Sequence, residues 1–351
     1  MPKKDIKVLI VDDSAFMRKI LKDILDAQQG IIVVGTARNG IEAIEKIQEL
    51  QPDIVTLDVE MPEMNGLEVL KIIMKQRPVP VIMLSSLTQQ GAEITLKALE
   101  LGAVDFIPKP AKIINIDIDD LKRVLIEKII TLVNSKVIKE REYHHISKSP
   151  RISLPNRDFS GIHYIIGVGT STGGPSALKE LLISFPENIP AAILIVQHMP
   201  PGFTKSLAQR LNTLCHIRVK EGEKGERLKP GWAYIAPGNY HMIVHENEGD
   251  LVLDLNADDP VSGHRPSVDV LMKSISRLSF ENKMGIIMTG MGRDGSQGIR
   301  DLKRSGGFTI AQDEESCVVF GMPKAAIDIG AVDKVLPLQE IGQEVLNYIF
   351  K

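Results

Sequence analysis

Three side chains beyond residue 160 are of the types that carry out acyl transfer. Each stands where an apolar run gives way to glycine or proline. Ser171 lies in "GTSTG", which fits the nucleophile-elbow pattern G-x-S-x-G; its small flanking residues permit the sharp strand-to-helix turn that exposes a serine hydroxyl. His198 directly follows the apolar run "AAILIVQ", and the succeeding "MPPGF" keeps it out of a helix. Asp294 sits in the glycine-rich turn "TGMGRDG" behind another apolar run. Together they supply a nucleophile, a base and an acid that orients the base. Singly, Ser171 and Asp294 also read as helix caps and His198 as a structural histidine. His264, in "GHRPSVDV", is a second candidate base, while His163, His216, His241 and His245 fall at strand starts or in hairpin sequence.

Two phosphate-binding readings of the same glycines fit less well. "GTSTGGPS" has the spacing of a P-loop, but Pro175 replaces the lysine and removes both its charge and a backbone donor. For a dinucleotide fingerprint after Gly167 and Gly169, the third glycine should occupy the place of Thr172, and Gly173 comes one residue late.

The first half carries a second constellation. Asp12 and Asp13 end the first apolar run, Asp58 the third and Ser85 the fourth, and Lys109 follows the fifth. Crowded carboxylates repel one another unless a cation intervenes, so an all-oxygen pocket of this kind implies Mg²⁺ and leaves Asp58 to attack a phosphoryl group. Lys109 would neutralise phosphoryl oxygens and the Ser85 hydroxyl would hydrogen-bond the new phosphate. Pro110 is expected to follow a cis peptide bond.

These residues need strand ends to hold them. From Ile6 to about Asn134, five short β-branched runs alternate with helix-period segments, which predicts a parallel sheet covered on both faces. Residues 135–160 lose that periodicity, collect Ser, Pro and basic charge, and read as a linker. Residues 161–351 return to a doubly wound, mostly parallel α/β pattern interrupted by turn-rich sequence expected to form hairpins, giving domains at 1–134 and 161–351. A net charge of -3 over 351 residues offers no basic field for nucleic acid or anionic lipid. Cys215 and Cys317 have no metal-ligand spacing and are expected to be small buried apolar residues in a reducing compartment. No run approaches a membrane span, so a cytoplasmic monomer is expected.

"VLIVDDSAFMRKIL", "IVTLDVEMPEMNGLEVL", "VIMLSS" and "GAVDFIPKP" resemble the receiver domain of bacterial response regulators, a flavodoxin-like (βα)5 fold. The resemblance implies that Asp58 accepts phosphate from a sensor histidine kinase, that Asp12 and Asp13 hold Mg²⁺ with it, and that Phe106 is the aromatic switch position. Asn65 stands where many receivers have Asp. With "GTSTGGPSAL", "VQHMPPGFT", "GHRPSVDVL" and "TGMGRDG" in that order behind a receiver, the whole chain resembles the chemotaxis protein-glutamate methylesterase family. The order Ser, His, Asp separates it from the α/β-hydrolases, where the acid precedes the histidine.

That second resemblance implies hydrolysis of glutamate γ-methyl esters to glutamate and methanol on methyl-accepting chemotaxis receptors, and deamidation of particular receptor glutamines. It implies Ser171, His198 and Asp294 as the triad, with no cofactor for the esterase reaction and release of activity by phosphorylation of the receiver. A backbone N–H near Met291 is expected in the oxyanion hole, and Thr172 and Arg265 in the substrate cleft. Thr170, where many members have alanine, and Arg293 are departures beside the site. Two other classes are set against this. A DNA-binding output would need a basic domain, but residues 161–351 carry 19 basic against 22 acidic residues and no helix-turn-helix pattern. A phospho-regulated scaffold with a dead site would not be labelled by a serine-directed phosphonate.

Overall fold

The computed structural model describes residues 5–109, 118–133 and 161–351. The expected linker, and the expected cis bond before Pro110, lie outside the described residues. The chain forms two compact units, Met1–His144 and His145–Lys351.

In the first unit β1 (Ile6–Val11), β2 (Ile31–Ala37), β3 (Ile54–Asp58), β4 (Val81–Ser85) and β5 (Asp105–Pro108) alternate with α1 (Ala15–Asp26), α2 (Gly40–Leu50), α3 (Gly66–Gln76), α4 (Gln89–Glu100) and α5 (Ile118–Leu132). All five strands are parallel in the order β2-β1-β3-β4-β5. Such a sheet is covered by helices on both faces, which is why β3 and β4 are buried at every position. The chain reverses its winding beside β1, so the ends of β1 and β3 flank the crevice where doubly wound sheets bind ligands. The helices start on side-chain caps: the hydroxyls of Ser14 and Thr88 accept from Met17 N and Gly91 N, and Asn65 forms a full capping box with Glu68. Asn65 thus has a structural task at the position where it departs from the family pattern.

The second unit begins with β6 (Tyr164–Thr170), α6 (Gly174–Ile183), β7 (Ala191–Gln197), α7 (Phe203–Leu214), β8 (Arg218–Glu221), β9 (Glu226–Arg227) and β10 (Trp232–Ile235). It continues through β11 (His241–Asn247), β12 (Asp250–Asn256), α8 (Val268–Ser276), β13 (Lys283–Ile287), α9 (Ser296–Arg304), β14 (Phe308–Gln312), α10 (Met322–Asp328), β15 (Lys334–Leu336) and α11 (Leu338–Ile349). Seven strands make a parallel sheet ordered β15-β14-β13-β6-β7-β10-β8, and β11-β12-β9 make a small antiparallel one.

The turn-rich middle therefore differs from the hairpins expected of it. β11 and β12 do form a hairpin through Glu248 and Gly249, both at positive φ. However, β8 and β10 extend the parallel sheet beside β7. Cys317 is buried as expected, whereas Cys215 is only half-buried. Burial pushes both thiols up, to about 11 for Cys215 and about 12 for Cys317. Among the described residues no helix is long and apolar enough to cross a membrane.

Candidate functional site

The winding of the second sheet also reverses beside its first strand: β7, β10 and β8 lie on one side of β6, and β13, β14 and β15 on the other. Ser171, His198 and Asp294 follow β6, β7 and β13, the three strands at that switch point. Thr170 pairs with Gln197 and Gly169 with Ile287, so the register sets Ser171 and His198 at the same level.

Gly167 and Gly169, which a phosphate cradle would have claimed, serve packing. A Cβ on Gly169 would fall 2.2 Å from Val268 Cγ1, and one on Gly167 2.7 Å from Ile275 Cδ1. Their bareness lets α8 lie close to the sheet, which brings the start of that helix to Asp294. The Asp294 carboxylate, 1% exposed, accepts from Val268 N (2.7 Å), Asp269 N (3.2 Å), Ser267 Oγ (2.8 Å) and Gly295 N (3.0 Å). Burial alone would raise its pKa, but the hydrogen bond and charge of His198, with the Val268 and Ser267 donors, outweigh burial and hold it below the usual carboxylate range. The helix N-terminus favours the same ionised form.

His198 Nε2 lies 2.8 Å from Asp294 Oδ2. Because the ionised carboxylate only accepts, Nε2 is the nitrogen that donates to it, and in the neutral ring Nδ1 is then the one with the lone pair. Nδ1 is buried and has no hydrogen-bond partner, so the resting structure leaves one ring nitrogen open for a proton. The loops around it are tied together. His198 N donates to Thr170 O (3.2 Å), Ser171 N donates to Thr289 O (3.0 Å), and Gln197 Nε2 bridges Ser171 O (2.9 Å) and His198 O (3.2 Å). Thr289 Oγ1 donates to Thr172 O and accepts from Val318 N and Val319 N. Gly173, at φ +78°, turns the chain into α6, whose first turn holds Pro175. A strand-to-helix turn thus holds Ser171, and its left-handed residue is Gly173 rather than the serine.

Of the expected cleft residues, Thr172 is buried in this turn and Met291 is half-buried beyond β13. Arg265 Nη1 donates to Ala257 O (2.8 Å) and Asp258 O (3.0 Å), clamping its own loop. His264 is stacked on His198, with ring centroids 3.9 Å apart. His241 is locked by Ser267 N on Nδ1 and by Asp259 O on Nε2. Reading the sequence missed Ser267, Gln197 and Thr289. Ser267 had the signal of a helix cap before an apolar run, and it does cap α8 through Val270 N; Gln197 and Thr289 had none.

In the first unit Asp12, Asp13 and Asp58 each offer a carboxylate oxygen within 4.8 Å of the others. Lys109 Nζ sits 2.8 Å from Asp12 Oδ2 and 2.7 Å from Asp58 Oδ2. Each oxygen faces only this one ammonium and retains a further lone pair for a cation. Burial, then the Asp12 charge, raise the Asp58 pKa to about 6, against the opposing pull of Lys109. A carboxylate so stressed, beside two more, fits a hard divalent ion. Ser85 Oγ is buried and faces α4, bonding Gly91 O at 3.2 Å and Thr95 Oγ1 at 2.6 Å. Phe106 is buried in β5.

Residues 8–118 match the response regulator receiver domain family and residues 166–345 the CheB methylesterase family. A protein-glutamate methylesterase/protein-glutamine glutaminase of Pyrococcus horikoshii is 49% identical over 99% of this chain and 94% of its own length. Its namesake in Halalkalibacterium halodurans is 50% identical over 97% of this chain and 98% of its own. The crystal structure of the Thermotoga maritima CheB methylesterase catalytic domain aligns with a TM-score of 0.52 and 43% identity, covering 54% of this chain and 99% of that one. The chain belongs to the CheB methylesterase family, in the form that carries a response regulator receiver domain ahead of the methylesterase domain.

Proposed function

We propose that the second unit hydrolyses glutamate γ-methyl esters, and the amides of particular glutamines, on methyl-accepting chemotaxis receptors, with Ser171 as nucleophile, His198 as base and Asp294 as the acid that orients it. Protein-glutamate methylesterase and protein-glutamine glutaminase are the activities of this family. The observation that carries the residue assignment is the 2.8 Å bond from His198 Nε2 to a buried, ionised Asp294, which leaves Nδ1 as the only basic nitrogen of the ring.

In this reading the Ser171 hydroxyl proton passes to His198 Nδ1 as Oγ bonds to the ester carbonyl carbon, and Asp294 stabilises the imidazolium. Backbone N–H groups at the turns holding Thr172 and Met291 receive the oxyanion, where one donor contributes about 3 to 4 kcal/mol. Collapse breaks the carbon–methoxy bond, the imidazolium proton leaves with methanol, and water, deprotonated by His198, cleaves the acyl-enzyme. With a glutamine substrate the leaving group is ammonia.

The first unit governs this reaction through phosphorylation of Asp58 by a sensor histidine kinase. Asp12, Asp13 and Asp58 would hold Mg²⁺, which when bound neutralises phosphoryl oxygens. Lys109 neutralises a further share, and Ser85 reaches the phosphate by giving up its bonds to α4. The setting is the cytoplasm. Removing residues 1–134 should raise the basal rate; a fall to zero would contradict a restraining receiver. The assignment of the nucleophile is tested by methanol release from methylated receptor membranes: the wild type should release it and Ser171→Ala should not, and equal release by both would overturn it.

A further inference from the structure

One contact at the site has no part in the triad itself. The imidazole of His264 lies parallel to that of His198, with centroids 3.9 Å apart and planes within 11°. We propose that His264 is a positioning residue for the base, its ring acting as the flat wall that fixes the plane of His198. The inference rests on His198 being the base of the proposed reaction.

The hydrogen bond to Asp294 anchors His198 at one atom, Nε2. With the covalent bond at Cγ and this hydrogen bond at Nε2, the freedom that remains is tilting of the ring plane by rotation about Cβ–Cγ, which would move Nδ1, the atom that must receive the Ser171 proton, out of line. A second contact spread over the ring face removes that freedom. Proton transfer suffers steeply from small misplacements, with about 1 Å costing about 10²-fold in rate.

The segment that carries the wall is braced by hydrogen bonds. Val261 and His264 exchange backbone hydrogen bonds of 3.1 and 2.9 Å around Ser262 (φ 53°) and Gly263 (φ 80°), a two-residue turn with both central residues left-handed. Arg265 clamps the carbonyls of Ala257 and Asp258. Ser267, three residues beyond His264, donates to Asp294 Oδ1. One short segment thus supports both the acid, through Ser267, and the base, through His264.

The test compares His264→Ala and His264→Phe in the full chain, reading the rate at which a fluorophosphonate labels Ser171, and kcat and KM on methylated receptor membranes. The labelling end point normalises every rate to folded sites. His264→Ala should lower the labelling rate and kcat by about 10- to 100-fold with KM within about twofold, and His264→Phe, which keeps a flat ring, should recover most of the loss. If His264→Ala does not fold, His264→Leu fills the space without a planar face and should show the same loss. Wild-type rates in His264→Ala or His264→Leu, or an equal loss in His264→Phe, would overturn the inference while leaving the triad intact. Labelling or turnover in Ser171→Ala would instead remove the triad reading on which it stands.

Discussion

Asp58 and Asp294 occupy matching places in the two units. Each lies at or beyond the C-terminal end of a parallel strand beside the switch point, and they are 2% and 1% exposed. Yet their pKa values move in opposite directions. Asp294 has four protein donors besides His198, so its charge is satisfied despite burial. Asp58 accepts one backbone bond, from Glu60 N at 3.2 Å, shares Lys109 with Asp12, and is pushed up to about 6. Burial penalises both carboxylates; at Asp58 the Asp12 charge adds to the penalty, whereas at Asp294 His198 and the donors outweigh it. A saturated carboxylate suits a fixed electrostatic prop, and an undersatisfied one suits a site that takes up a cation and a phosphoryl group.

The largest effect should come from removing the prop. Asp294→Asn keeps the shape but loses the charge and disturbs the His198 tautomer, so kcat should fall by about 10⁴-fold in methanol-release assays. Next comes Asp58→Asn, which relieves a buried charge. Without Mg²⁺ at pH 7 it should stabilise the first unit to urea by up to about 3 kcal/mol. Because the folded pKa is raised, the charge penalty is complete above about pH 6 and disappears as the pH falls towards the unfolded value near 4. The gain of the variant should shrink over that window, and Mg²⁺ should offset it by stabilising the wild type. A gain unchanged between pH 7 and 4 would break the comparison.

Asp294 should behave in the opposite sense. Its folded pKa is lowered, so its contribution is full above the unfolded value near ~3.9 and is lost only as the pH falls through the folded one. The destabilisation by Asp294→Asn should therefore hold at pH 6 and close at the acid extreme in urea melts. Smallest is the loss of one donor: Ser267→Ala should cost about 1 to 2 kcal/mol in stability and raise the Asp294 pKa, seen as a change in the acid limb of stability.

Much of this contrast was legible in the sequence, because the strands that carry both sites are continuous apolar runs. "AAILIVQ" became β7 without a change of boundary, and His198 and Asp294, both read from strand ends, lie 2.8 Å apart. The strand order was out of reach where it depends on long-range pairing: "RVKE" and "WAYI" are short and partly polar, and nothing local says that they lie parallel beside β7. α10 and β15 went unread for a similar reason. The first has seven residues, too few for a period, and the second is a largely exposed three-residue strand. At the site, sequence pattern identifies groups that could react but not what supports them. Ser267 reads as a helix cap, and its second bond to Asp294 exists only because Gly167 and Gly169 admit α8 close to the sheet. His264 was legible as a second candidate base, though not as a ring stacked on His198.

In the proposed function the stressed Asp58 carboxylate of one unit governs the chemistry of the other. That control is tested most directly by methanol release from methylated receptor membranes by wild type and Asp58→Asn, each with and without a small-molecule phosphodonor and Mg²⁺. The phosphodonor should raise the wild-type rate and leave Asp58→Asn at its basal rate. An equal rise in both would contradict it.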